Sequence, residues 1–462
     1  MRYHPDQGPD DDAALPHHGD QPGIPDRAVA RDEFDVEPEK GGHKDTIEMV
    51  TVWQWEIYRP HGDCRIRYDE QPIHVTISAP YTEGTRMPAL HQNIDPDGLL
   101  EYSVVFTDRS LNHMSRNFQE VMRDISASLK RVYNADAVAL VPGGGTFAME
   151  AVARQFAGGK SVLIVRNGLF SFRWSAILDA AGIAAGETVL KARPVSTERR
   201  APWAPAPVEE VTAAIRAQRP AVVFAPHVET SAGIMLPDDY LRAVGDATHE
   251  VGGLFVLDCV ASGAVWVDME ACAVDVLISA PQKGWSSTPC AGLVMLNERA
   301  KARAADVRSS SFACDLMAWV RIMEAYENGD HAYYATLPTD SLRTFRDAIR
   351  EIETMGLEIA RDRQLELGSK VRSLLAESGI ASVAGPGFEA PGVVVSYADD
   401  DRVRTGKAFA EAGIQVAAGV PLNCDEPSDF ATFRIGLFGL DKLQNVDRTV
   451  GYLREALERI GL

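Results

Sequence analysis

The chain has 462 residues, enough for two or three domains, and its 45% hydrophobic content can fill a large core. Its 46 Lys and Arg against 66 Asp and Glu leave a net charge of -20, which disfavours nucleic acid and anionic membrane surfaces as partners. No apolar run approaches bilayer length, no signal-peptide pattern opens the chain, and six scattered cysteines lack disulfide or zinc spacing, so a reduced, cytoplasmic protein without a metal is expected.

Residues 1–46 are rich in Asp, Pro, Gly and His and poor in large apolar residues. Such a segment buries too little surface to offset its ordering entropy, so a disordered acidic tail is expected. His4, His17, His18 and His43 fall at irregular spacing and read as solvated rather than metal-binding. Residues 47–86 alternate β-branched and aromatic positions, as in Met49–Tyr58 and Ile73–Ile77, and read as a small β-rich appendage. Residues 87–118 are expected to join a smaller domain.

From there strand and helix patterns alternate. Phe118 to Tyr133 is amphipathic, Ala137–Val141 is a buried strand, Phe147–Phe156 a helix and Ser161–Val165 a strand. A helix at 208–218 precedes a strand at 221–225, and a helix at 238–251 precedes the run Gly253–Leu257. A further apolar run spans Val274–Ile278. This βαβ spacing predicts a mostly parallel sheet covered by helices on both faces, a large domain over 119–345. Residues 342–377 read as helical. Strands at 392–397 and 433–437 and helices from Arg402 and from about Asn445 then make 346–462 a smaller α+β domain.

Five predicted strand ends carry polar or glycine-rich sequence, the edge where open α/β sheets place ligands. Gly143-Gly144-Gly145-Thr146 runs into a helix, which suits an anion but equally suits a capped tight turn. It is neither a P-loop nor a dinucleotide fingerprint. Asn167-Gly168-Leu169-Phe170 offers a loop aromatic that can stack on a planar group or pack in the core. His227–Gly233 is dense in hydrogen-bonding groups, as a ligand loop or a capped loop would be. Asp258 closes one strand, and Gln282-Lys283 follows the next. An acid and a lysine on adjacent strand ends fit pyridoxal phosphate: the lysine forms a Schiff base and the acid holds the proton on the pyridine nitrogen.

With these residues in view, the chain resembles the class V, fold type I pyridoxal-phosphate aminotransferases, in particular their alanine/serine–glyoxylate and serine–pyruvate branch. The motifs are PGGGTFAMEA (142–151), NGLFSFRW (167–174), HVETSAG (227–233), LDCVASGAVWVDM (257–269), SAPQKGW (279–285), YYATLP (333–338) and FRIGLFG (433–439). They occur in family order, and the resemblance runs from about Pro88 to Leu462. It implies that Lys283 bonds the cofactor and shuttles the proton, with Asp258 on the pyridinium. Phe170 would stack on the ring, and Thr230 would approach its hydroxyl. Gly144, Gly145, Thr146 and Gln282 would hold the phosphate. Tyr333 and Thr336 would reach the neighbouring subunit's cofactor in a homodimer with shared sites. Arg434 would bind the substrate α-carboxylate. The implied activity moves an amino group from alanine or serine to a 2-oxo acid such as glyoxylate or pyruvate.

Departures from the family pattern are Val228, Ala280-Pro281 and the unmatched stretch 187–207. A lyase or cysteine desulfurase on the same fold is the alternative, and a non-enzymatic regulatory module a third. A desulfurase would need Cys424 as nucleophile, and Asp425 and Glu426 beside it are expected to raise the thiol pKa. Met87 falls where the resemblance begins, so residues 1–86 are expected either to precede the native start or to be dispensable for catalysis.

Overall fold

The structure is a computed structural model that describes residues 99–462; the expectations for 1–46, 47–86 and Met87 lie outside the described residues. Among the described residues seven strands form the main sheet: β1 (Ala137–Pro142), β2 (Ser161–Arg166), β3 (Gly186–Lys191), β4 (Val222–Pro226), β5 (Leu254–Asp258), β6 (Val276–Ser279) and β7 (Ala291–Leu296). Their spatial order is β1-β7-β6-β5-β4-β2-β3. All pairs are parallel except those of β7, which runs antiparallel to both its neighbours. Strands β4, β5 and β6 are buried at every residue, which is why they read as continuous apolar runs and not as alternation.

Helices cover the sheet where the apolar period becomes 3.6. Helix α1 (Arg116–Tyr133) buries Phe118, Val121, Met122, Ile125 and Leu129 on one stripe. It opens on Ser115, whose hydroxyl accepts from the Phe118 amide at 3.2 Å, and closes on Asn134 in the left-handed region. Fully burying one such side chain contributes roughly 1.5–3 kcal/mol. Helices α2 (Gly145–Phe156), α3 (Leu169–Ala180), α4 (Val208–Gln218) and α5 (Asp238–Glu250) link the parallel strands.

Beyond β7 come α6 (Glu298–Ala305), α7 (Leu316–Glu327), α8 (Thr339–Met355) and α9 (Leu357–Glu377). The stretch expected to be helical over 342–377 is thus two helices, broken at Gly356, whose φ of 97° no α-helix accommodates. A second, antiparallel sheet follows, with β8 (Val393–Tyr397), β9 (Ala417–Ala418) and β10 (Thr432–Gly436) in the order β8-β10-β9. Helix α9 packs on β8 and on the last helix, Val446–Ile460.

The stretch 187–207, which matched no motif, supplies the edge strand β3 and a short hairpin pairing Arg193-Pro194 with Trp203-Ala204. Trp203 then binds the C-terminal part. Its amide donates to Val383 O at 2.7 Å, its carbonyl accepts from Gly385 N at 2.8 Å, and its indole donates to the Tyr397 hydroxyl at 3.2 Å. Among the described residues no helix is long and apolar enough to cross a membrane.

Candidate active site

The parallel strands all end on one edge, and register brings the predicted residues there together. Asp258 lies opposite Pro226 of β4 and Ile278 of β6, so His227 and Ser279 follow on either side of it. Gly145, Thr146, Phe170, Thr230, Asp258, Gln282 and Lys283 line one cavity of about 190 Å³. Gly144 is not part of that lining and precedes Gly145 as the N-cap of α2. A larger cavity, about 440 Å³, lies between residues 194–203 and 427–431. Its arginines are already paired, Arg199 with Asp429 at 3.4 Å and Arg200 with Asp399, and it lies away from the strand ends, so chemistry favours the smaller cavity.

Two helix N-termini meet at that cavity, and they differ. At α3 the amides are consumed by Glu229, a fully buried carboxylate. Glu229 accepts from Phe170 N at 3.2 Å, Ser171 N at 2.9 Å and Ser231 N at 3.0 Å, and from the Ser231 hydroxyl at 2.6 Å. Gly168 must be glycine for this approach, because a Cβ there would lie 2.0 Å from Ser231 Oγ. At α2 the amides of Gly145 and Thr146 donate to no protein acceptor among the described residues. A Cβ on Gly145 would stand 2.7 Å from Val260, so the glycine lets α2 press against the Asp258 turn. Only α2 therefore offers an open anion-binding end.

Phe170 corrects one expectation: it is not a loop aromatic but sits in the first turn of α3, because Ser231 Oγ accepts from the Leu169 amide and Glu229 from those of Phe170 and Ser171. The polar density of 227–233 is the sequence trace of that cap. Glu229→Ala is expected to leave two or three buried donors unpaired and to cost roughly 3 kcal/mol. Urea unfolding measures it; an unchanged midpoint would refute the capping role.

Charges in the cavity are tuned by burial. Asp258 accepts one bond at its carboxylate, from Val260 N at 2.9 Å. Desolvation, assisted by the charge of Glu229, pushes its carboxyl up to about 6. Lys283 is held below the usual lysine range, first by burial and then by the charges of Arg434 and Arg173. Behind Asp258, His227 donates its amide to the Asp258 carbonyl at 2.9 Å. Its Nδ1 lies 2.7 Å from Ser262 Oγ, and burial pulls the imidazole down to about 4, so the ring is neutral at physiological pH.

Arg434 is half-buried on β10; its Nε donates to Ala418 O at 2.9 Å, and its guanidinium stands 5.8 Å from the Phe170 ring centre. Tyr333 and Thr336 do not line this cavity. They are exposed, with hydroxyls 3.2 Å apart. Sequence reasoning missed Arg173, which lines the cavity one helical step from Phe170; the i, i+3 spacing within NGLFSFRW was the available signal. Cys424 is buried, and burial, then the charges of Glu229 and Glu426, push its thiol up to about 12. Asp425 is not among the causes and faces Lys191 at 2.7 Å instead.

A mostly parallel α/β sheet with an acid and a lysine on adjacent carboxyl ends, beside an open helix N-terminus, defines the class of protein: an α/β enzyme with a lysine-centred pocket. The family described as Aminotransferase class-V matches residues 99–447, and the chain belongs to it; it is a transaminase of fold type I. The alanine–glyoxylate aminotransferase of Rattus norvegicus is 26% identical over 361 residues, covering 76% of this chain and 83% of that protein. The 2-aminoethylphosphonate–pyruvate transaminase 2 of Paraburkholderia xenovorans (strain LB400) is 30% identical over 343 residues, covering 72% and 86%. The crystal structure of an alanine–glyoxylate aminotransferase from Nostoc sp. superposes with a TM-score of 0.62 at 25% identity, covering 75% of this chain and 88% of that one.

Proposed function

We propose that the protein is a pyridoxal-phosphate-dependent aminotransferase that moves the amino group of a small amino acid, alanine or serine, to glyoxylate or pyruvate. The observation that carries this is the pairing of Lys283, held toward its neutral amine, with Asp258, a buried carboxylate that among the described residues has no cationic hydrogen-bond donor on it. That donor set fits the cofactor: an aldehyde needs an unprotonated amine, and a protonated pyridine nitrogen supplies the partner the carboxylate lacks. Gln282 Oε1, buried without a partner, and the free amides at α2 complete a polar lining.

Pyridoxal phosphate, when bound, supplies the electron sink that lets the amino group leave one carbon skeleton and join another. The protein's residues do the rest. Lys283 Nζ is the nucleophile and then the base at the substrate Cα, its basicity lowered by burial and by the charges of Arg434 and Arg173. Asp258 keeps the ring nitrogen protonated, and Phe170 covers one ring face. Thr230 reaches the ring hydroxyl. Gly144, Gly145, Thr146 and Gln282 hold the phosphate. Arg434 forks onto the α-carboxylate. Tyr333 and Thr336, exposed on this subunit, serve the neighbouring site in a homodimer. The large domain over 119–345 lines the pocket and the smaller one over 346–462 brings Arg434 toward it, with cytoplasmic substrates as the supply.

The test is the absorbance of the purified full chain. A yellow protein that bleaches with L-alanine or L-serine and recovers with glyoxylate or pyruvate supports the reading. A protein that stays colourless after incubation with pyridoxal phosphate, or that releases sulfide from L-cysteine instead, overturns it.

A further inference from the structure

Arg173 is the cavity's unassigned charge. Its Nη1 donates to Thr146 Oγ1 at 2.9 Å, and its guanidinium lies 5.2 Å from the Phe170 ring centre. Among the described residues it has no carboxylate within ion-pair distance, unlike most arginines of this acidic chain. Its charge nevertheless reaches both central groups, favouring ionised Asp258 and disfavouring charged Lys283.

A proton count gives the arrangement a purpose. A threonine hydroxyl has one proton to donate and accepts on its lone pairs. With Arg173 occupying an acceptor position, the Thr146 proton remains free for another acceptor. The amides of Gly145 and Thr146 beside it are also uncommitted donors. Three donors on the first turn of α2 and one unpaired cation on the second turn of α3 suit an anion carrying more than one negative charge.

We infer that Arg173 is a positioning residue for the cofactor's phosphate, acting through Thr146: it orients the hydroxyl proton toward the phosphate and supplies charge that the neutral α2 turn lacks. The inference rests on the proposed cofactor, and it adds a cation that no glycine-turn argument from the sequence contained. It also assigns Arg173 to the phosphate and not to the substrate carboxylate, which falls to Arg434.

The test compares two ligands that differ only in the phosphate. The full chain, freed of cofactor, is titrated with pyridoxal phosphate and with pyridoxal, following visible absorbance and tryptophan fluorescence. Arg173→Gln is expected to weaken pyridoxal phosphate about 10- to 100-fold, the loss of a charge-assisted interaction, and pyridoxal less than about twofold. Thr146→Val, at an exposed position, is expected to weaken pyridoxal phosphate also, and Arg173→Gln made on that background should cost less than it does alone. Thermal midpoints of the cofactor-free variants check folding. Equal losses for both ligands, or an unchanged affinity with a raised KM for the amino donor, would overturn the inference. A wild-type chain that binds neither ligand would instead overturn the proposed cofactor.

Discussion

Asp258→Asn is expected to make the cofactor-free protein more stable at pH 7 while removing most of its activity. The carboxyl is buried with a single amide on it, and its pKa rises from 3.8 to about 6. A folded-state pKa above the unfolded value means that the native state holds its proton more tightly between those two values. Wild-type stability therefore falls as pH rises through roughly 4 to 6 and stays reduced above that window. A shift of about two units corresponds to roughly 3 kcal/mol at pH 7. Asparagine keeps the shape without the charge, so the variant should gain up to about that amount at pH 7 and little at pH 4. Urea unfolding of cofactor-free protein at both pH values measures it; a variant less stable than wild type at pH 7 would refute the argument. Turnover should drop about 10²- to 10³-fold, as when a positioned electrostatic partner is removed. Function here is held against stability, as expected for a site that waits for its partner.

Lys283→Ala carries the largest expected loss of activity. The amine is both nucleophile and proton carrier, and no other lysine lines the cavity among the described residues. Turnover should fall by about 10⁴-fold, the upper range for one acid–base group. The fold should survive, because among the described residues the side chain makes no hydrogen bond and its Nζ only overlies the Phe438 ring at 5.4 Å. Circular dichroism and thermal midpoint separate the two effects. Retention of more than about a hundredth of the wild-type rate would mean that another base does the work.

The fold was legible in the sequence where burial imposes long periodic runs. The apolar runs at 137–141, 161–165, 221–225 and 253–257 became strands shifted or lengthened by one residue, and the helices expected at 147–156, 208–218 and 238–251 began within a few positions of their signals. Site residues at strand ends were legible for the same reason, since a parallel sheet delivers all its carboxyl ends to one edge. What could not be read depends on contacts distant in sequence. Phe170 reads as a loop residue in the sequence because its helix is capped by Glu229, 59 residues away. Arg173 gave only the i, i+3 spacing from Phe170, a weak signal because a guanidinium on a helix is usually a solvated face. Trp203 was opaque because its partners, Val383, Gly385 and Tyr397, lie in another part of the chain.

Among the described residues strand β1 has one sheet partner, β7, and Ala137 faces Leu296 across that pair. The glycine turn at its end is thus pinned by residues synthesised about 150 positions later, at a loop-closure cost of roughly 4 kcal/mol. During translation the turn and the lysine cannot meet until β7 has left the ribosome and inserted between β1 and β6. A nascent chain halted before Ala291 would present an unpaired β1 edge and no pocket, so competence to take up the cofactor arrives late and all at once.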